Sequence, residues 1–201
     1  KGEKTKISKI NFKGAFAART MISKSNFKAL NKENISLIMC PNAHLVSYLV
    51  NEDEYNFVSI IRNKANTSDN ENRELLDLIL KQNNLNILFD KDLSFWPIYN
   101  SYKPTISKYK NIFYLGDAFY TFLPTMAQGA SQSIESAYEL FKIFEKNNND
   151  KQDIYFKNRF QRMKAINKRS NFNFFVFHLS NLFFVKMRNF ILKKLIYNKK
   201  F

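Results

Sequence analysis

The hydrophobic positions change period along the chain, from alternation in the first third to a three-and-four spacing in the last. The stretch "KISKINFKGAFAARTMI" alternates in part and is rich in β formers. After it, "ISLIMC" and "HLVSYLV" read as short strands split by Pro41-Asn42, and "EYNFVSIIR" as another strand. The polar "NEDE" between the last two makes a hairpin turn, so residues 7 to 62 predict an antiparallel sheet. "TSDNENRELLDLILKQNN" predicts a helix capped by Ser68 or Asp69, with Leu75, Leu76, Ile79 and Leu80 as its apolar face. "FWPIYNSYKP" is aromatic and bounded by proline, an extended segment that returns the chain to the sheet.

The richest stretch is "NIFYLGDAFYTFLPTMAQGASQSIESA", residues 111 to 137. "NIFYL" reads as a buried strand that stops at Gly116, and Asp117 then stands at its carboxyl end, where open α/β sheets take ligands. Pro124 fixes its own φ and pushes Leu123 toward an extended conformation, which predicts a rigid loop. Gly129 lets the backbone come close to a partner. Beyond it, Ile134, Ala137, Tyr138, Phe141 and Phe144 recur at helical spacing, so an amphipathic helix starts between Ala127 and Ser131. The free N–H groups of its first turn favour acceptor oxygens or negative charge.

Further on, "NNND" at 147 to 150 is a linker, and "DIYFKNRFQRMKAINKRSNFN" sets Tyr155, Phe160, Met163 and Ile166 on one side of a helix with basic residues opposite. The segment "NFFVFHLSNLFFVKMRNFILKKLIYNKKF" predicts a further helix with phenylalanine on nearly every side, which something must cover. Another domain, a second subunit or an anionic membrane surface would each do so. Packing within the protein is the first expectation; Lys186, Arg188, Lys193, Lys194, Lys199 and Lys200 among the apolar residues would also let the helix lie on an anionic bilayer.

Composition narrows the choices. The 201 residues hold 32 Lys and Arg against 17 Asp and Glu, a net charge of +15. The lysines are scattered among asparagines, without the aromatic-interleaved pattern of a nucleic-acid module, so the charge reads as a solvated surface. Cys40 is the one cysteine, which excludes an internal disulfide and a cysteine-based zinc site; His44 and His178 are too few for a histidine-rich metal centre. No leader pattern and no span of transmembrane length is present in the sequence, so a cytoplasmic protein, soluble or membrane-associated, is expected. The 4 glycines, Gly2, Gly14, Gly116 and Gly129, cannot compose the G-x-G-x-x-G turn of a dinucleotide-binding unit.

In "LGDAFY", Pro124, "AQG" and "SIESA" the chain resembles the second flavin-binding motif of the FAD-dependent aromatic-ring hydroxylases, single-component flavoprotein monooxygenases of the salicylate hydroxylase type. Tyr120 stands where that family has histidine, and Ser136 where it has an acid after the glutamate. "FAARTMI", "AHLVSYLV" and "EYNFVSIIR" are similar, in order, to the family's substrate-domain sheet. Tyr155, Arg159 and Arg162, then Arg169-Ser170 and Phe177-His178, resemble its later helix. The resemblance implies an α+β or α/β architecture: an antiparallel substrate-domain sheet with a helix (1–105), the C-terminal part of a Rossmann-like FAD-binding domain (106–146) and C-terminal helices (147–201). It further implies a partial chain whose N-terminal FAD-binding portion lies outside this sequence.

The cofactor would be FAD, reduced by NADH or NADPH, and O2 would supply the oxygen placed on an aromatic or isoprenoid-like small molecule. The resemblance assigns cofactor contacts to Gly116, Asp117, Pro124, Ala127, Gln128, Gly129 and Ala130. Asp117 would accept from a ribityl hydroxyl, and the amides near Gln128 and Gly129 would face the N1–C2=O edge of the flavin. Pro124 would border the reaction centre, while Arg19 and His44 could reach the substrate from the sheet; His44 as a satisfied histidine of the sheet is the preferred expectation. The arginines of the later helix would form salt bridges to the flavin segment. No metal and no nucleic acid are expected; membrane contact would run through 172–201. A non-catalytic relic or subunit with this fold, and a basic peripheral-membrane protein, are the other readings.

Overall fold

The computed structural model describes residues 10–26, 34–89, 92–101, 103–146 and 150–197. Its elements in chain order are β1 (Ile10–Ser23), β2 (Ser36–Cys40), β3 (Ala43–Leu49), β4 (Glu54–Arg62), α1 (Asp69–Gln82), β5 (Ser94–Ser101), α2 (Gly116–Phe119), α3 (Gly129–Glu145), α4 (Lys151–Phe177) and α5 (Leu182–Tyr197). The strands form one sheet in the order β2-β3-β4-β1-β5. Of the described residues, 10–13 with 99–174 make one compact unit and 14–98 with 175–197 the other.

In the second unit the sheet follows from alternation. Phe16, Ala18, Thr20 and Ile22 of β1 are buried, and the antiparallel register sets them opposite Ile61, Ser59, Phe57 and Tyr55 of β4, which are buried too. A two-residue turn joins β2 to β3: the Pro41 ring fixes one φ, and Asn42 takes the left-handed region at φ 60°. Between β3 and β4 the Asn51 side-chain oxygen accepts from the backbone N–H groups of Asp53 at 3.0 Å and Glu54 at 2.9 Å. Ser68 caps α1 in a reciprocal box: its Oγ accepts from Glu71 N–H, and the Glu71 carboxylate accepts from Ser68 N–H at 2.7 Å. Those bonds hold the Glu71 carboxyl below the usual carboxylate range. Leu76, Ile79 and Leu80 are buried, and Leu75 is only half-buried.

The first unit packs Phe119, Tyr120, Ile143, Tyr155 and Met163 into one cluster, with Phe113, Phe122 and Phe160 against it. Three details differ from the sequence-based expectations. Leu115 is extended, at φ −121° and ψ 155°, but residues 112–115 join no ladder among the described residues. Aromatic and β-branched content favours an extended backbone; a strand also needs a neighbour. The apolar face of α3 is turned outward, with Ile134 71% exposed and Tyr138, Phe141 and Phe144 also exposed, because α3 buries Gln132, Ser136 and Ile143 instead. The expected helix over 173–201 is broken at 178–181: its first residues continue α4, and the Asn181 side-chain oxygen accepts from Phe183 N–H at 3.0 Å at the start of α5. Of the predicted 147–150 linker only Asp150 is described, as a turn; residues 7–9 of the first predicted strand and 198–201 of the tail lie outside the described residues.

Candidate functional site

Gly116 begins α2 with φ +51°, a conformation that a Cβ disfavours. Its backbone lies against α3: a Cβ placed on it would be 3.0 Å from Ser133 Cβ and would overlap Ser133 Oγ. The Gly-Asp turn is thereby packed against the N-terminal turns of α3, although twelve residues and a proline loop separate them in sequence. Asp117 follows on the exposed side, and its carboxylate has no hydrogen-bond or ion-pair partner among the described residues. Gly116→Ala is expected to cost about 2 kcal/mol, from the left-handed φ plus the overlap with Ser133. A urea titration of that variant beside Gly116→Ala/Ser133→Gly should show part of the loss recovered; no recovery would place the cost in φ alone.

Pro124 opens a 3-10 turn over Pro124–Met126, and Ala127 ends it in the left-handed region at φ 50°. Helix α4 pins this loop: Thr125 Oγ1 donates to the Ser170 carbonyl at 2.7 Å, and Asn173 Nδ2 donates to the Thr125 carbonyl at 3.4 Å. Gln128 is the N-cap of α3, and its side chain does not cap the helix, so the first-turn amides keep their capacity for an external acceptor. Among the described residues, nothing beyond its chain neighbours and its own helix backbone lies within 4 Å of where a Cβ on Gly129 would stand. Together, an exposed carboxylate and an uncapped helix start with open space beside it form a set that accepts from hydroxyls and donates to acceptor oxygens. The residues present therefore fit a polyhydroxylated ligand bearing an electron-rich carbonyl edge, as FAD does.

A buried network holds α3 from behind. Arg159 of α4, 3% exposed, donates to Gln132 Oε1 at 2.6 Å and pairs with Glu135 at 2.8 Å and Glu139 at 3.4 Å. Arg162 reaches Glu135 at 3.1 Å, and Gln132 Nε2 donates to the other Glu135 oxygen at 2.9 Å. Burial pushes the Glu135 carboxyl up, yet the hydrogen bonds from Arg159, Gln132 and Arg162 outweigh it and hold the group below its usual range. The two arginines thus salt-bridge to α3. Gln132 and Ser133 did not stand out in the sequence: glutamine and serine near a helix start are ordinary, and only the fold brings Arg159 and Gly116 to them. Tyr120, in the place of a histidine in the resemblance, is a core residue whose phenol burial pushes up.

Arg19 and His44 belong to the other unit. Arg19 on β1 is opposite Val58 of β4, and Val58 is opposite Val46 of β3; His44 is two residues from Val46, so both side chains leave the same face of the sheet. Arg19 is exposed and donates from Nε to Asn56 Oδ1 at 3.0 Å. His44 is 2% exposed, with Nδ1 at 2.8 Å from His178 Nε2, while Arg62 Nε donates to His178 Nδ1 at 3.3 Å. One imidazole donates to the other across the 2.8 Å contact. Burial lowers His44 to about 4; burial, His44 and Arg62 lower His178 to about 3, against an opposing bond to the Ile60 backbone. No group of three or more metal-ligating side chains occurs among the described residues.

No protein-family model and no curated protein sequence matches the chain. Solved structures do. HpxO of Klebsiella pneumoniae, complexed with FAD and uric acid, superposes with a TM-score of 0.71 at 12% identity, over 93% of this chain and 50% of that one. A salicylate hydroxylase substrate complex gives 0.69 at 13% identity, over 96% of this chain and 55% of the other. Pseudomonas aeruginosa PqsL with 2-aminobenzoylacetate gives 0.60 at 17% identity, over 81% and 48%. The chain has the fold of part of these proteins, a sheet with C-terminal helices, and spans about half their length.

Proposed function

We propose that this chain is the substrate-sheet and C-terminal flavin-contacting part of an FAD-dependent monooxygenase. The observation that carries the reading is the packing of the Gly116-Asp117 turn against the start of α3, with an exposed carboxylate on one side and an uncapped helix N-terminus on the other. Structures of this fold that contain FAD, and one that bears the name of a ring hydroxylase, support the same kind of chemistry.

Bound FAD, reduced by NADH or NADPH, would activate O2 for transfer to an aromatic or similarly electron-rich small molecule. The chain's own part is binding and orientation. Asp117 accepts from hydroxyls of the cofactor chain; the amides of Gly129 and Ala130 donate to its electron-rich carbonyl edge. Pro124, with Ala127 and Gln128, keeps the intervening loop rigid, so these donors hold their place without reordering. Arg19, a cation on an exposed sheet face, suits a carboxylated or enolic substrate. His44, neutral at physiological pH, is buried against His178 on the same side of the sheet. A dinucleotide-binding unit supplied outside these residues would complete the FAD site.

Mixing the purified chain with excess FAD, removing free flavin by gel filtration and reading the visible absorption tests this. Retained flavin is expected once the dinucleotide-binding unit is supplied, and Asp117→Ala should weaken retention by roughly 10- to 100-fold, the loss of one charge-assisted hydrogen bond. A folded chain that stays colourless, alone and with a supplied dinucleotide-binding unit, would make the motif a non-binding remnant.

A further inference from the structure

Helix α5 faces outward with the wrong residues for water. Leu182, Phe183, Phe184, Met187, Phe190, Ile191 and Leu195 are all exposed, Phe183 by 69% and Phe190 by 59%. At about 100° per residue, Phe183, Met187, Phe190 and Ile191 share one face, flanked by Phe184 and Leu195. Lys186 and Lys193 fall together along one border of that face, and Lys194 lies within it with Nζ 4.6 Å from the centre of the Phe190 ring. The helix is fixed in this orientation from behind: Arg188 is buried and donates from Nη1 to the Val176 carbonyl at 3.1 Å, while Val185 and Leu192 are half-buried. The helix contains no acidic residue, and the sequence has none after Asp153.

We propose that this face of α5 docks in the plane of an anionic lipid surface. Charge and apolar character agree on that occupant. Aromatic side chains enter the boundary between headgroups and acyl chains, and lysines at the rim reach the phosphates on their flexible stems. The core of a protein interface is depleted in lysine, whereas here Lys194 stands among the phenylalanines. No helix among the described residues is long and apolar enough to cross a membrane, so contact is lateral. The inference stands apart from the flavin reading, since α5 shares no residue with the Gly-Asp site.

The test is co-sedimentation of the full chain with vesicles of phosphatidylcholine alone, and of phosphatidylcholine mixed with phosphatidylserine. Binding to the anionic vesicles should exceed that to the neutral ones by about tenfold or more and should weaken as salt is raised. Phe183→Ser/Phe190→Ser and Lys186→Gln/Lys193→Gln/Lys194→Gln should each reduce it by about tenfold, with unchanged thermal melting because these side chains are exposed. Phe141→Ser, on the exposed face of α3, should leave it unaltered. Equal binding to both vesicles, no binding, or α5 variants that bind as before would overturn the proposal. So would self-association in lipid-free solution that the α5 variants abolish, which would make a second copy the cover.

Discussion

Arg159→Ala is expected to destabilise the protein by about 3 kcal/mol, several times the effect of Arg162→Ala on the same carboxylate. Both arginines bind Glu135, at 2.8 and 3.1 Å, but Arg159 is buried and Arg162 is half exposed. Removing Arg159 leaves Gln132 Oε1, inside a residue 2% exposed, without its donor, and opens a cavity between α3 and α4. Glu135 stays paired through Arg162 and is itself partly exposed, which keeps the expected loss at the low end for a broken buried ion pair. Removing Arg162 takes away one solvent-screened contact and should cost less than about 1 kcal/mol. Arg159→Lys keeps the charge but cannot fork to Gln132 and both glutamates, so it should fall between the two alanine variants. Urea denaturation of the three variants decides the matter; equal losses at 159 and 162 would show that burial of the network contributes nothing.

Acid should unfold the sheet unit through its histidine pair. His44 and His178 are held neutral in the fold, at about 4 and about 3, against 6.5 in an unfolded chain. A depressed folded value means that the unfolded chain binds the proton first, so the pair's contribution is fully present above about pH 6.5 and is lost as pH falls toward 4. Arg62 beside His178 strengthens the effect by repelling a proton on its ring. Counted as one coupled titration, the pair should remove about 3 kcal/mol of stability between pH 6.5 and 4. Carboxylates titrate in the same range, so the comparison is with His44→Leu/His178→Leu: its stability should fall less steeply over that interval. Parallel curves for the two proteins would sink the assignment.

How legible the molecule was depends on the range of each interaction. β4 was readable to the residue, because a run of aromatic and β-branched residues between polar ends and an asparagine turn are local signals. The start of α1 was readable too, since Ser68 and Glu71 satisfy each other across three residues. The Gly-Asp turn, Pro124 and the start of α3 were legible as a set, each having its own backbone reason. The outward face of α3 was not. Periodicity shows that Ile134, Tyr138 and Phe141 share a face, but not whether that face or the polar one meets α4; Arg159 settled it by drawing Gln132, Glu135 and Glu139 inward. The break at 178–181 was hidden in the same way by an apolar run with helical spacing on both sides.

The sequence by itself determined the strands, the caps and turns, the excess of positive charge and the backbone reasons for the turns at Gly116 and Pro124. Those follow from φ preferences, hydrogen-bonding groups and period, all local to a few residues. The tertiary structure alone decided that Gly116 meets Ser133, that Arg159 is buried among Gln132, Glu135 and Glu139, and that His44 pairs with His178 across 134 positions of chain. Such contacts depend on which faces pack together. That choice is set by the summed burial and hydrogen bonding of whole elements, which no short stretch of sequence contains.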